Sequence, residues 1–99
     1  MEYKELITVL STDKRLHSKH ICLFVALLYY WAESQCQSTF RVTRENLMKL
    51  SKIGSKATYH KCIAELTEYG YIKYMPTYNS YVGTRVYLRL NFFNKRFEQ

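Results

Sequence analysis

The chain is poor in the residues that separate or cross-link domains, with one proline, three glycines and three cysteines among 99 residues. It has no linker rich in proline, glycine or serine, no low-complexity tract and no internal repeat, which predicts a single domain over residues 1–99. The cysteines are odd in number, form no Cys-x-x-Cys motif and follow no signal-peptide pattern. A reduced, cytoplasmic protein is the simplest interpretation.

Long apolar segments are absent too. The longest run, ICLFVALLYYWA at Ile21–Ala32, is shorter than the roughly 20 residues that a membrane-spanning helix needs. It therefore predicts a buried helix, and no membrane partner is expected. Because this helix would be apolar almost all round, we expect it at the centre of the fold or shared with a second chain.

Motifs of catalytic or cofactor chemistry are missing as well. No glycine-rich phosphate loop, Gly-x-Ser-x-Gly or His-Glu-x-x-His sequence occurs. His17 and His20 have a spacing found at metal sites, but no cysteine or carboxylate cluster accompanies them in the sequence, which favours an ordinary helix start. Glu65 and Glu68 are expected on an exposed helix face. We predict no enzymatic activity, no metal, no cofactor and no small-molecule ligand.

Positive charge and tyrosine are abundant. Fifteen Lys and Arg residues oppose eight carboxylates, which gives a net charge of +7, and ten residues are tyrosine. An excess of this size favours an anionic partner, most often nucleic acid, over charge that serves solubility alone. Tyrosine suits strands, interfaces and nucleic-acid contacts alike, so its abundance does not discriminate.

Hydrophobic periodicity predicts four helices, followed by strands. The helices are expected near residues 2–10, 18–34, 43–53 and 55–69. Ser18, Thr43 and Ser55 are the expected N-caps, and Gly54 and Gly70 the expected stops. Two apolar faces are expected to turn inward: Leu47, Met48 and Leu50 on the third helix, and Tyr59, Cys62, Ile63 and Leu66 on the fourth.

Strand periodicity appears in three short segments, residues 39–42, 71–75 and 84–90. The last two flank the loop Pro76–Gly83 and predict a long-looped hairpin. Before it, residues 41–61 carry six Lys or Arg side chains, Arg44 among them, and one carboxylate. A basic helix start that follows a tight turn is typical of a helix presented to the major groove of DNA.

The stretch LMKLSKIGSKATYHKCIAELTEYGYIKY resembles the winged helix-turn-helix family of bacterial and phage DNA-binding domains. The resemblance covers residues 40–90, about half the chain. It implies an α+β, mainly α fold of three to four helices with a C-terminal β-hairpin wing. The domain would consist of N-terminal helices at 1–38, helix-turn-helix and wing at 39–90, and a tail at 91–99. The apolar second helix looks like those in small proteins of mobile elements and in phage or plasmid replication-initiator domains.

Carried over by position, the resemblance assigns DNA contacts to the turn, to the helix after it and to the wing. The implied positions, with Arg44 from the basic segment, are Arg44, Ser55, Lys56, Thr58, His60, Lys61, Tyr78, Asn79 and Arg85. The wing tip carries no charge, unlike many wings of the family. The implied function is sequence-specific binding of double-stranded DNA by a transcriptional regulator or a mobile-element or replication accessory factor.

Two other functions remain open at this point. A winged-helix scaffold also serves as a protein-interaction module, and the apolar second helix and the aromatic tail suit either that role or a homodimer. Binding of RNA or single strands through exposed tyrosines ranks last, because no RNA-binding sheet motif occurs.

Overall fold

The structure is a computed structural model that describes residues 3–75 and 83–89. In chain order its elements are α1 (Tyr3–Thr12), α2 (Ser18–Glu33), β1 (Thr39–Val42), α3 (Arg44–Ser51), α4 (Lys56–Glu68), β2 (Ile72–Met75) and β3 (Thr84–Leu88). The expected α+β class, with helices in the majority, is confirmed. Within the described residues, no helix is both long and apolar enough to cross a membrane.

The second helix begins differently from the expectation. Its N-cap is His17, with φ −127° and ψ −178°, whereas Ser18 is already the first helical residue. The reason is that the imidazole of His20, one turn into the helix, is buried and accepts a hydrogen bond from the His17 backbone N–H at 3.1 Å. A side chain of the first turn thus satisfies a backbone donor that no other part of the helix can reach.

The third helix starts as expected and ends earlier. The Thr43 hydroxyl accepts a hydrogen bond from the Asn46 backbone N–H at 3.1 Å, which is an N-cap. Gly54 is not the stop, because Lys52 takes the left-handed conformation at φ 64° and ends α3. The reversal at Lys52 allows Ile53 to enter the core, where it is 4% exposed. Burial of Ile53 offsets the cost of a left-handed lysine, which is on the order of 1 kcal/mol.

The fourth helix confirms both of its expected ends. The Ser55 hydroxyl accepts a hydrogen bond from the Thr58 backbone N–H at 3.3 Å. After Glu68 the chain turns at Gly70, whose φ of 86° lies in the region that favours glycine. The Tyr71 backbone N–H then donates to Leu66 O at 2.9 Å, so the helix end and the start of the next strand are joined directly.

The strands form a three-stranded antiparallel sheet in the order β1-β3-β2. Met75 lies opposite Arg85, and Arg41 lies opposite Arg85 on the other side of β3. The predicted pairing of the last two strands is confirmed. Both strands are shorter than the predicted segments 71–75 and 84–90. Residues 76–82 and Leu90 lie outside the described residues. Gly83, at φ 80°, has no room for a side chain, since a Cβ would lie 2.7 Å from Val42 O.

The core lies between the sheet and the helices, with α2 at its centre. Leu23, Phe24 and Leu27 of α2 are fully buried, as is Val86 of β3. The hydroxyl of Tyr71 donates to Asp13 Oδ2 at 2.7 Å and ties the start of β2 to the residue that follows α1.

The expectation for the core side of α3 was wrong at Leu50, which is 44% exposed. The core side of α3 is formed by Leu47 and Ser51, which are buried, and by half-buried Met48. Leu50 lies about 100° around the helix axis from the centre of that side. Ser51, a small polar residue, therefore takes the buried position that was expected for Leu50. Ile53 follows it into the core.

Candidate nucleic-acid interface

The turn between α3 and α4 consists of four residues and joins two helices with independent caps. Lys52 ends the first helix and Ser55 begins the second. Ile53 between them is buried, whereas Gly54 and Ser55 are exposed. The buried isoleucine anchors the turn, so the direction in which α4 leaves it is set by core packing and by the cap together.

Helix α4 has one buried side and one exposed side. The expected anchoring set is confirmed, since the following residues are at most 5% exposed: Tyr59, Cys62, Ile63 and Leu66. Burial raises the pKa of the Cys62 thiol, as expected for a small core residue. The opposite side carries five exposed residues at helical spacing. We call the first four of them the α4 outer stripe: Ala57, His60, Lys61 and Ala64. Glu68 continues the same row in the last turn.

The predicted contact residues of α4 do not all lie on this stripe. His60 and Lys61 belong to it, and Lys56 is exposed beside it. Thr58 is half-buried on a flank of the helix, and the Ser55 hydroxyl is engaged as the cap. Ser55 retains a hydroxyl proton for a phosphate oxygen, whereas Thr58 is less accessible than the sequence suggested.

Two exposed alanines of the stripe were missed by the sequence reasoning. Ala57 and Ala64 lie on either side of Lys61 along the helix. Their small side chains permit close approach of the helix backbone, and an alanine methyl group is a suitable contact for the methyl group of thymine. The signal was present in the sequence, because both alanines fall opposite the apolar spacing of Tyr59, Cys62, Ile63 and Leu66.

Arg44 is exposed in the first turn of α3. Burial, followed by the hydrogen bond between the Tyr59 and Tyr74 hydroxyls at 3.4 Å, raises the pKa of Tyr59 well above its usual range, and the positive charge of Arg44 acts in the opposite direction. The guanidinium is therefore within electrostatic reach of the Tyr59 hydroxyl. It adds an exposed positive charge on α3 to those of Lys56 and Lys61 on α4.

The remaining predicted residues are not joined to this site. Arg85 lies on the sheet face that turns away from the helices, since its neighbour Val86 faces inward and is fully buried. Tyr78 and Asn79 lie outside the described residues. The predicted interface is thus divided among α4, the start of α3 at Arg44 and a separate position on the sheet.

The basic side chains of the α4 site have no anionic partner in the described part of the chain. Over residues 3–75 and 83–89 the ion pairs are Asp13 with Arg15 and His20 with Glu65. Lys56 and Lys61 are exposed and belong to neither pair. Their charge is therefore available to an external anion at the start of a helix, where the backbone dipole also favours negative charge.

Glu65 differs from the expectation of a solvated carboxylate. Its Oε1 lies 2.8 Å from His20 Nε2, and the side chains of His17, His20 and Glu65 offer ligand atoms within 4.8 Å of one another. The hydrogen bonds of His20 argue for a structural role. Because Nδ1 accepts from the His17 N–H, the ring proton lies on Nε2, which donates to Glu65.

A metal at Nε2 would move that proton to Nδ1, where it would face the His17 N–H. Two donors would then point at each other inside a buried site, which is unfavourable. We therefore interpret the pair as a link between α2 and α4 that fixes the orientation of α4. The carboxylate was missed in the sequence because 45 residues separate it from its partner.

Searches of the chain against protein-family models, curated proteins and solved structures found no match.

Proposed function

We propose that the protein binds double-stranded DNA by placing α4 in the major groove, on a winged helix-turn-helix scaffold. The observation that carries this proposal is the division of α4 into an anchored side and the exposed α4 outer stripe. The buried side fixes the helix on the core, and the opposite side offers one lysine, one histidine and two alanines before it ends at Glu68 in the last turn. A helix offered in this way matches the width of the major groove, where side chains reach base edges.

The charge distribution supports the same proposal. Lys56 and Lys61 are exposed in the first two turns of α4 and Arg44 is exposed at the start of α3, whereas Glu65 is turned toward His20 and Glu68 lies at the far end of α4. Positive charge at the leading end and negative charge at the trailing end suit a helix that enters the groove by its N-terminus. In this proposal the hairpin of β2 and β3 is the wing, and the biological role is regulation of transcription or accessory action in replication or mobile-element transfer.

The test combines selection of bound duplexes from a random pool with a double substitution. A sequence consensus is expected from the selection, because base-edge contacts discriminate between base pairs. Lys56→Ala/Lys61→Ala is expected to weaken duplex binding by about 1–3 kcal/mol for each lysine that contacts a base. If both lysines contact phosphates instead, the salt dependence of log K is expected to become shallower by about 0.9 for each.

The matched control is Lys4→Ala/Lys14→Ala, which removes the same charge from exposed positions outside α4. It is expected to leave the selected sequence and the salt dependence nearly unchanged. Equal loss in the two double variants would mean that net charge, and not α4, determines binding. Unchanged duplex affinity in a folded Lys56→Ala/Lys61→Ala variant would overturn the proposed surface.

A homodimer is a second proposal that a separate observation favours. Val25 and Tyr29 lie one turn apart on α2 and are 53% and 50% exposed, which is unusual for large apolar side chains of a central helix. Two copies joined there would present two α4 helices to half-sites about one helical turn apart. The same patch also suits a protein-interaction module. Light scattering at high protein concentration distinguishes these cases, and the mass of a single chain would contradict the dimer.

A further inference from the structure

The sheet has a second concentration of positive charge on the side turned away from the helices. We call it the basic sheet face and define it by Arg41, Lys73, Arg85, Tyr87 and Arg89. Arg41, Lys73, Arg85 and Arg89 are exposed and Tyr87 is half-buried. The strands alternate regularly, because Phe40, Val42, Val86 and Leu88 between these positions are buried on the inner side.

The pairing of the strands places like charges directly beside each other. Arg41 is the cross-strand partner of Arg85, so their Cα atoms lie roughly 4.5–5.5 Å apart. Arg85 and Arg89 are separated along the chain by Tyr87, which pairs with Lys73 on its other side. Like charges directly opposite in a sheet are unfavourable for folding. Within residues 3–75 and 83–89 no carboxylate occupies this face or forms an ion pair with it.

This arrangement is complementary to a polyanion. Four cations without a described ion pair surround an aromatic ring on an open sheet. Cations of this kind neutralise phosphates, and an accessible aromatic ring is a surface on which an unpaired base stacks. The bases of a duplex hide their faces inside the stack, so a tyrosine between cations suits a single strand better than a duplex.

The basic sheet face belongs to different elements from the α4 site. The α4 outer stripe lies on α4 and the basic sheet face on the three strands, and each lies opposite side chains buried in the same core. A straight duplex is therefore assigned to α4, and another segment of nucleic acid to the basic sheet face.

We infer that the basic sheet face binds single-stranded DNA, with Arg41, Lys73, Arg85 and Arg89 on phosphates and the Tyr87 ring against a base. The inference rests on the proposed function, because a duplex that opens beside its α4 contact is the source of the strand. The protein then holds duplex DNA and an adjacent single strand on different surfaces. This combination identifies the substrate as DNA at a junction between paired and unpaired regions.

The test measures the affinity of the full chain for fluorescent oligonucleotides by anisotropy. The probes are an oligothymidylate of about 20 nucleotides, which is long enough to cross one small domain, an oligouridylate of equal length and a blunt duplex. The variants are Arg41→Ala/Arg85→Ala, Tyr87→Leu and Lys56→Ala/Lys61→Ala, with Lys4→Ala/Lys14→Ala as the charge-matched control. Thermal melting checks that each variant is folded.

Arg41→Ala/Arg85→Ala is expected to weaken oligothymidylate binding and to make its salt dependence shallower by about 1.4 in slope for two single-strand phosphates. Its melting temperature is expected to stay equal or rise, because a repulsive pair is removed. Tyr87→Leu is expected to reduce the affinity by about five- to hundredfold, as for the loss of one stacked base. Lys56→Ala/Lys61→Ala is expected to change duplex binding alone.

Outcomes of three kinds would overturn the inference. The first is no oligothymidylate binding by the unmodified protein, or equal loss in the charge-matched control. The second is loss of duplex affinity in Arg41→Ala/Arg85→Ala as large as the loss of single-strand affinity, which would make the face part of the duplex site. The third is tighter binding of oligouridylate than of oligothymidylate, which would assign the face to RNA. Failure of the α4 proposal appears separately, in the duplex arm.

Discussion

The two sides of α4 differ in their surroundings although they belong to one helix of 13 residues, because one side is buried in the core and the other is exposed. On the buried side, Tyr59, Ile63 and Leu66 are held by the core, so a change there alters the free energy of unfolding. On the outer stripe, Lys61 is exposed and forms no ion pair within the described residues, so a change there is expected to leave the fold intact. The comparison predicts that stability and the proposed DNA binding are separable within this helix, and substitutions on each side test that separation.

The largest effect on stability is expected from Ile63→Ala. Ile63 is 5% exposed, so truncation removes buried apolar surface and leaves a cavity. The free energy of unfolding is expected to fall by about 2–5 kcal/mol, measured by chemical denaturation. Leu50→Ala is the control, because Leu50 is 44% exposed, and its cost is expected to be below about 1 kcal/mol. Equal costs for the two variants would mean that Ile63 does not lie on the buried side of α4.

The next effect concerns the flank between the two sides. Glu65→Ala removes the acceptor of the buried His20 N–H and is expected to cost about 1–3 kcal/mol of stability. Glu68→Ala removes the same charge from an exposed position on the same helix, and its cost is expected within about 0.5 kcal/mol. The difference between the two denaturation midpoints measures the link between α2 and α4. If Glu65→Ala left the stability unchanged, the hydrogen bond between His20 and Glu65 would not contribute to holding α4 on α2.

A smaller effect is expected at a polar link that holds a different helix. Hydrogen bonds from the Arg15 guanidinium hold the pKa of Asp13 well below its usual range, with a further contribution from the Tyr71 hydroxyl. Because this pKa is lower in the folded state, the carboxylate contributes stability above its unfolded value of about 4 and loses it as the pH falls further. Asp13→Asn is expected to cost about 1 kcal/mol at neutral pH, a small value because the pair lies at the surface.

Thermal melting from neutral to acidic pH tests this link. The difference in melting temperature between the unmodified protein and Asp13→Asn is expected to shrink below about pH 4. The pKa of Tyr71 is raised to about 12, first by burial and then by its hydrogen bond to Asp13. That contribution is present below about pH 10 and is lost as the pH rises toward 12. A pH-independent difference on the acid side would contradict the link.

The smallest effect is expected at the N-cap of α4. Ser55→Ala removes the oxygen that accepts from the Thr58 N–H and is expected to cost somewhat under 1 kcal/mol, since the site is exposed. Ser38→Ala, at an exposed position outside any helix, is the control for the same change of side chain. Fraying of the first turn is also expected to weaken duplex binding. Full duplex affinity in a destabilised Ser55→Ala variant would show that the cap is separate from the binding surface.

The features of the candidate interface that depend on neighbouring residues could be predicted from the sequence. The features that depend on contacts between distant residues could not. The caps at Thr43 and Ser55 and the buried side of α4 were predictable, because each depends on neighbours within one or two turns. The role of Glu65 was not, since its partner His20 lies in another helix. The cross-strand pairing of Arg41 with Arg85 was not predictable either, because it depends on which strand pairs with β3 and in which register.

The amino-acid sequence by itself determined the order of the elements, the turn before α4 and the apolar side on which that helix rests. Periodicity and capping act over a few residues, so they can be read along the chain. Tertiary structure alone decided that Lys52 and not Gly54 ends α3, that His17 and not Ser18 caps α2, and that Arg85 faces away from α4. Each of these depends on a side chain that must enter the core or on a strand that must find its partner, and packing chooses among locally acceptable alternatives.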